Sequence, residues 1–112
     1  MTTDITEVPR EKWGHFFDEF TRKHAGKRIN VDFYGPGTSP HREIHSLPFV
    51  GIVYEPKSSD IEIAVGTEAA DHVSHTVNDP IHVWVKEDEN GDIVEVRSDD
   101  GVTSLLRFAS AS

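Results

Sequence analysis

The sequence predicts an α+β fold in which an N-terminal amphipathic helix packs on a curled antiparallel sheet or small β-barrel of about six strands. Two observations predict it. Aromatic residues recur with helical spacing near the start of the chain, and apolar residues alternate in the segments that follow. Because one helix cannot cover both faces of such a sheet, we expect the sheet to curl around the helix.

The helix is predicted to begin at Val8-Pro9-Arg10-Glu11. Proline suits the first helical position, and glutamate in the first turn suits the positive end of the helix dipole. The aromatic residues that follow recur at i, i+3, i+4 and i+7, which places them on one face: Trp13, Phe16, Phe17 and Phe20. Gly26 can provide the left-handed cap that ends the helix. We therefore expect the aromatic stripe to belong to the core.

The rest of the chain reads as strands, and Pro48 is expected at an edge, bend or bulge. Asn90-Gly91 predicts a two-residue type I′ hairpin, and Asp100-Gly101 predicts the turn to the next strand, so the last three strands form a meander. The predicted strand segments are residues 28–34, 42–47, 60–65, 81–87, 92–97 and 102–108. Residues 49–54 continue or restart the strand at 42–47, and residues 72–77 are a candidate for a further short strand.

The length of 112 residues indicates a single domain over residues 1–112, with 1–7 and 109–112 frayed. The chain has no cysteine, no apolar run long enough to span a bilayer, and no start typical of a signal peptide, so we expect a cytoplasmic protein. The formal charge is −9. This charge argues against nucleic acid and anionic membranes as partners, because both attract basic surfaces.

Three segments of the chain resemble a family of small prokaryotic proteins. They are Val8-Pro9-Arg10-Glu11-x-Trp13 with the helix residues after it, His72-x-x-His75-Thr76-Val77, and Asp100-Gly101-x-Thr103-x-Leu105-Leu106-Arg107-Phe108. The family is a domain of unknown function. The resemblance implies a bacterial or archaeal source and one compact domain, and it brings no catalytic residue, cofactor or partner.

The seven histidines are the residues of this sequence best suited to a chemical role, because histidine binds metals and titrates near neutral pH. Asp71-His72-x-x-His75 has the look of a ligand pair. On a helical turn the two rings would share a face, whereas on the strand predicted here they would point to opposite faces. We therefore treat Asp71, His72 and His75 as candidate binding residues and assign neither a metal ion nor a cofactor.

The sequence marks no nucleophile, since cysteine is absent and no Gly-x-Ser-x-Gly motif occurs. The acidic residues cluster in turns, where solvation explains them. Asp32 and Glu62 alternate with apolar residues in their strands, so we expect both to face solvent. No catalytic residue is assigned.

Trp84 is the remaining candidate binding residue. It lies out of phase with the apolar residues of its strand, so we expect it on the outer face of the meander, beside Val94 or Leu105. An aromatic side chain exposed on a sheet is a candidate contact site. In a closed barrel, by contrast, the same side chain would simply be packed.

These observations predict a small cytoplasmic interaction or binding module without catalytic activity, which binds a protein partner or a second copy at a sheet edge or at Trp84. Two alternatives remain open. One is a small metal-dependent or acid–base enzyme that uses Asp71, His72 and His75. The other is a pH-responsive oligomerising protein, because protonation of all seven histidines would remove seven of the nine net negative charges.

Overall fold

A computed structural model describes residues 5–36, 41–66, 73–87 and 91–109, which form one α-helix and eight β-strands. The helix, α1, spans Trp13–His24 and follows a 3₁₀ turn at Arg10–Lys12. The strands are, in chain order, β1 (Ile5–Glu7), β2 (Arg28–Tyr34), β3 (His41–Glu55), β4 (Asp60–Val65), β5 (Val73–Asn78), β6 (Pro80–Lys86), β7 (Ile93–Ser98) and β8 (Thr103–Phe108). No helix within these ranges has the length and apolar character needed to cross a membrane.

The described strands form one sheet in the order β1-β6-β7-β8-β2-β3-β4-β5, with antiparallel neighbours throughout. The predicted α+β fold with an antiparallel sheet is confirmed. The sheet ends at β1 and β5, so it is not a closed barrel, and it has eight strands instead of about six. One unpredicted strand is Ile5–Glu7, in the segment expected to fray, which pairs with β6. Three residues are too few to show an alternating pattern.

The sheet turns a corner because the long strand β3 changes partners along its length. Its first part pairs with β2 as far as Pro48, which lies opposite Arg28. Its second part pairs with β4 from Phe49 to Glu55. Register shifts in both ladders, and a φ of 50° at Ser46, mark the bend. The prediction that Pro48 occupies a bend is therefore confirmed.

Helix α1 takes the place of a neighbouring strand along the second part of β3. The Thr21 hydroxyl donates to the Ile52 carbonyl (3.2 Å) and accepts from the Ile52 N–H (3.1 Å). After the helix, the Gly26 N–H donates to the Phe49 carbonyl (2.8 Å), and the Phe49 N–H donates to the Lys27 carbonyl (2.7 Å). The helix and its final turn thus satisfy backbone groups of β3 that lie beyond the end of β2.

The core fills the space between α1 and the inner face of the curled sheet. The predicted aromatic stripe lies in it, and Trp13, Phe17 and Phe20 are at most 4% exposed. Phe16, at the margin of the stripe, is partly buried. His24 extends the stripe by one further turn, and its ring stacks on that of Phe20 at 3.9 Å. The stripe therefore belongs to the core, as its spacing predicts.

The connection between β6 and β7 differs in register from the predicted hairpin. A two-residue turn at Asn90-Gly91 would place Lys86 opposite Glu95, but Lys86 pairs with Ile93, so the predicted register is wrong by two residues. Asn90 itself lies outside the described residues. A shift of two residues keeps every side chain on the same face of the sheet. The alternating pattern therefore does not distinguish the two registers.

Replacing Phe17 with alanine should lower the free energy of unfolding by about 3–5 kcal/mol, because a fully buried ring leaves a cavity that the core closes only in part. The same change at Phe16 should cost only about 1–2 kcal/mol, since that ring is already partly exposed. Urea denaturation of the two variants beside the wild-type protein measures both losses. Equal losses would mean that the helix is rotated from the orientation described above.

Replacing Gly51 with alanine should destabilise the protein by about 1–2 kcal/mol. A Cβ at this position would lie 3.2 Å from Cγ2 of Thr21, whose two bonds to Ile52 prevent it from moving aside. Gly14→Ala is the matched control, because no described atom lies within 4 Å of a Cβ there. It should stabilise the helix by up to about 1 kcal/mol. Thermal unfolding distinguishes the two variants, and a stabilised Gly51→Ala protein would contradict the close approach of helix and strand.

Candidate functional site

Trp84 lies on the outer face of the sheet, on the side that the alternation of its strand predicts. Glu7 of β1 and Glu95 of β7 lie directly opposite it in the neighbouring strands, and Leu105 of β8 lies opposite Glu95. Directly opposite residues of antiparallel strands share a face, so these four side chains form one row across the sheet. Val94, the other neighbour suggested by the sequence, is fully buried.

Two side chains hold the Trp84 indole at this surface. The His82 ring stacks against it with a centroid distance of 5.0 Å, and the Arg97 guanidinium carbon lies 5.3 Å from the indole centroid. His82 is itself fixed by Glu7, whose Oε2 lies 2.7 Å from the histidine Nδ1. A cation near an aromatic face is attracted by the ring. The indole is therefore ordered before any partner arrives, which lowers the entropy cost of a contact.

A shallow cleft of about 190 Å³ adjoins Trp84. Its apolar walls include Ile93, Leu105 and the edge-strand residue Ile5, which is 67% exposed. Lys86 and Glu95 add charged groups beside these apolar side chains. We call this surface the Trp84 face, and its members are Ile5, Glu7, His82, Trp84, Lys86, Ile93, Glu95, Arg97 and Leu105.

Asp32 also lies on the outer side of the sheet, opposite Leu105, but it is only 7% exposed. The prediction that Asp32 faces solvent is therefore wrong, whereas Glu62 is exposed as predicted. A register shift in the β2–β3 ladder lies directly beside Asp32. Alternation predicts the face on which a side chain lies, but not whether a nearby irregularity removes it from water.

His75 lies on the inner face of β5, at the open mouth of the curled sheet. It pairs with Ile63 of β4, which is fully buried, and its ring contacts the Phe33 ring of β2 at 4.3 Å. Both rings line a cleft of about 220 Å³, together with two serines that are at most 4% exposed, Ser98 and Ser104. We call it the mouth cleft. Its walls come from β2, β5, β7, β8 and the turn between the last two.

Asp100 lies at the rim of the mouth cleft, in the three-residue turn 99–101. The Ser98 hydroxyl donates to Oδ1 of Asp100 at 2.6 Å, and the Val102 N–H donates to the same oxygen at 3.0 Å. These bonds, the serine bond first, lower the pKa of Asp100 from its ordinary value of 3.8. The carboxylate is therefore ionised at neutral pH. Gly101, with a φ of 88°, completes the turn in a conformation that glycine adopts readily.

The structure separates the candidate residues instead of joining them in one site. His75 lies in the mouth cleft, and Trp84 lies on the opposite side of the sheet in the cleft of the Trp84 face. Asp71 and His72 lie outside the described residues. Within the described ranges, no group of three or more histidine, aspartate or glutamate side chains is placed to hold a metal ion.

His24 is a buried polar residue that the sequence interpretation does not single out. Its Nδ1 donates to the Phe20 carbonyl at 3.0 Å, and its Nε2 lies 2.7 Å from Oδ2 of Asp92. Both ring nitrogens therefore have polar partners although the ring is buried. The sequence does indicate that His24 is buried, because position 24 continues the helix stripe formed by Trp13, Phe17 and Phe20. The pair joins the helix end to the start of β7.

Together these features define an α+β protein in which one helix fills a curled antiparallel sheet, with an aromatic surface outside and a polar cleft at the mouth. The chain belongs to a protein family of unknown function, DUF5335, whose family model matches residues 4–112. The resemblance inferred from three sequence segments is thereby confirmed.

A curated relative of this chain is likewise without an assigned function. It is an uncharacterized protein of Aquifex aeolicus (strain VF5), and it is 26% identical over 106 residues, which cover 93% of this chain and 91% of that protein. No solved structure matches the chain. The two proteins therefore correspond along nearly their whole length.

The β7–β8 turn should loosen as the pH falls below about 4. Because the pKa of Asp100 is lowered in the folded protein, its contribution to stability is complete above the unfolded value of about 3.9 and is lost as the pH falls through the lower folded value. Protection of the Val102 amide against hydrogen exchange, measured by NMR, should decrease over this range. Asp100→Asn should abolish the acid step, and Asp99→Asn should retain it. An unchanged step in Asp100→Asn would assign the acid sensitivity of the turn to another group.

Proposed function

We propose that this protein is a cytoplasmic interaction module that associates with a second copy of itself through the Trp84 face. The observation that carries this proposal is a partly buried tryptophan held by Arg97 and His82 on the outer side of the sheet, beside the exposed side chain of Ile5 and the partly buried Ile93 and Leu105. The absence of cysteine supports the cytoplasmic setting.

The composition of the Trp84 face supports a protein contact. Tryptophan and arginine are the residues that most often dominate the energy of protein interfaces, and they do so where charged groups surround an apolar centre. Here Trp84 and Arg97 adjoin the apolar side chains of Ile5 and Leu105. Ile5 belongs to a strand of only three residues at the sheet edge, and its side chain is the most exposed of the large apolar residues described. A contact here would cover it.

The charge on the Trp84 face supports a second copy as the partner. The whole chain carries a formal charge of −9, so two copies repel each other over most of their surfaces. On the Trp84 face, the acids Glu7 and Glu95 are matched by the bases Lys86 and Arg97. In a two-fold contact each acid can meet a base of the other copy. Balanced charge therefore makes this surface suited to self-association.

His82 favours a pH-dependent form of the same function. Its ring lies between Trp84 and Glu7, and Arg97 faces the same indole, so protonation would add a positive charge to a surface whose charges are balanced. The charge of the Trp84 face therefore changes with the protonation of His82, and self-association should depend on pH over the range in which histidines change charge.

Trp84→Ser should weaken self-association by about 30-fold or more, the factor that corresponds to a 2 kcal/mol interface residue. Sedimentation velocity over a concentration series gives the dissociation constant of each protein, at neutral and mildly acidic pH. Acrylamide quenching of fluorescence adds an independent measurement. Trp13 is 1% exposed, so Trp84 dominates the quenching, which should decrease as the protein concentration rises.

Val53→Ser is the matched control for this experiment. Val53 is 58% exposed and lies on β3, outside the Trp84 face, so its replacement should leave the dissociation constant unchanged. Thermal unfolding of Trp84→Ser should stay close to that of Val53→Ser, which excludes misfolding as the cause of a change. A wild-type protein that is monomeric at all concentrations would overturn self-association. A dimer that survives Trp84→Ser would assign the contact to another surface.

A further inference from the structure

We propose that the mouth cleft is a binding site for a small organic cation of the alkylammonium class. This site lies on the inner side of the sheet and shares no residue with the Trp84 face. The inference is therefore independent of self-association.

The cleft has an aromatic wall suited to a cation. The rings of Phe33 and His75 lie 4.3 Å apart and are inclined by 47°, and both line the cleft. An ammonium or quaternary ammonium group is attracted to aromatic faces, most strongly where water is partly excluded. Phe33 is partly buried although phenylalanine is usually placed in the core. A ligand that covers the ring would complete its burial.

The inner face of the sheet changes from apolar to polar at this cleft. Along β7 the inward residues are Val94 and Val96, and then Ser98. Along β8 the inward residue Leu106 is apolar, and the next inward residue toward the start of the strand is Ser104. Ser104 pairs with Val96 of β7 on one side and with Phe33 of β2 on the other. The buried Ser98 hydroxyl is satisfied by its bond to Asp100, and this bond shapes the turn. Ser104, which is 1% exposed, places a second hydroxyl group among the residues that line the cleft.

The charge of the cleft selects a cation over an anion. Asp100 contributes a charged carboxylate to the lining, and the lining residues that the structure describes include no lysine or arginine. Asp79 and Asp99 lie close to the same turn, because the Asp99 N–H donates to the Asp79 carbonyl. The chain as a whole is strongly acidic, which raises the local concentration of cations.

The cleft has room to hold a group of a few non-hydrogen atoms. A volume of about 220 Å³ corresponds to roughly seven water molecules at about 30 Å³ each. This is enough for a trimethylammonium group or a short alkylamine, and it is too small for a nucleotide. Two of the three segments that carry the family resemblance contribute to the lining, at His75-Thr76-Val77 and at Asp100.

Titration with tetramethylammonium, tert-butanol and pivalate, followed by NMR of the full chain, tests the charge preference with three probes of similar shape. Tetramethylammonium should bind at least about tenfold more tightly than the neutral and anionic probes, since a cation–π contact together with a carboxylate is worth on the order of 1.4 kcal/mol or more. The amides of residues 33, 75, 102 and 104 should shift together. Choline then tests whether an added hydroxyl group improves binding at the serines.

Asp100→Asn should weaken tetramethylammonium binding about tenfold, because the amide retains an oxygen for Ser98 and Val102 but removes the charge. Asp99→Asn removes the same charge from the same turn outside the lining and should change binding less than twofold. Phe33→Leu, which leaves the turn intact, should also weaken binding. Equal affinity for the three probes, shifts outside the cleft, or equal effects of Asp100→Asn and Asp99→Asn would overturn the proposal, as would no binding at millimolar concentrations.

Discussion

A single helix has to cover the inner side of an eight-stranded sheet, and most of the structure depends on how this is achieved. Helix α1 has only 12 residues. A flat sheet of eight strands would leave most of its inner face in water, so the sheet bends at Pro48 and its two parts face each other across the core. The aromatic stripe of the helix then packs against both parts at once. The number of helices therefore determines the curvature of the sheet.

Polar contacts fix the helix in this position where apolar packing alone would let it slide. Thr21 bonds to both backbone groups of Ile52 in the middle of the helix, and His24 joins the helix end to Asp92 beside β7. One contact lies in the part of the sheet that contains β4, and the other lies in the part that contains β7. The helix is thus tied to both sides of the bend. This restrains the angle between the two parts, because a change in that angle would break one of the pairs.

The sequence predicts the parts of the fold that depend on local periodicity. The strands Arg28–Tyr34 and Asp60–Val65 have the predicted bounds, and the aromatic stripe lies in the core as expected. What it does not reveal depends on contacts between distant segments. Ile5–Glu7 is a strand only because β6 is beside it, and Asp32 is buried although its alternation indicates solvent. The β6–β7 register likewise differs from the predicted one by a shift that alternation does not detect.

The candidate site was predictable to the same degree. Alternation places Trp84 outside the sheet, whereas the inner position of His75 follows from its pairing with Ile63. It does not show that Phe33 and Asp100, which lie far apart in the chain, meet His75 in one cleft. Nor does it predict the ring of His82 and the guanidinium of Arg97 around the indole, since these depend on strand order. Residue types indicate which chemistry is available, whereas the pairing of strands decides which residues share it.

The two proposed contacts lie on opposite faces of the sheet and differ in their charge. Strand β7 contributes to both, because Glu95 and Arg97 point outward to the Trp84 face while Ser98 points inward to the mouth cleft. On the outward side acids and bases are balanced, which permits two acidic chains to approach each other. On the inward side, the described lining residues place no lysine or arginine beside the carboxylate of Asp100, which favours a cation. The alternation of one strand thus gives an acidic protein two surfaces of different charge, and the two can be occupied at the same time.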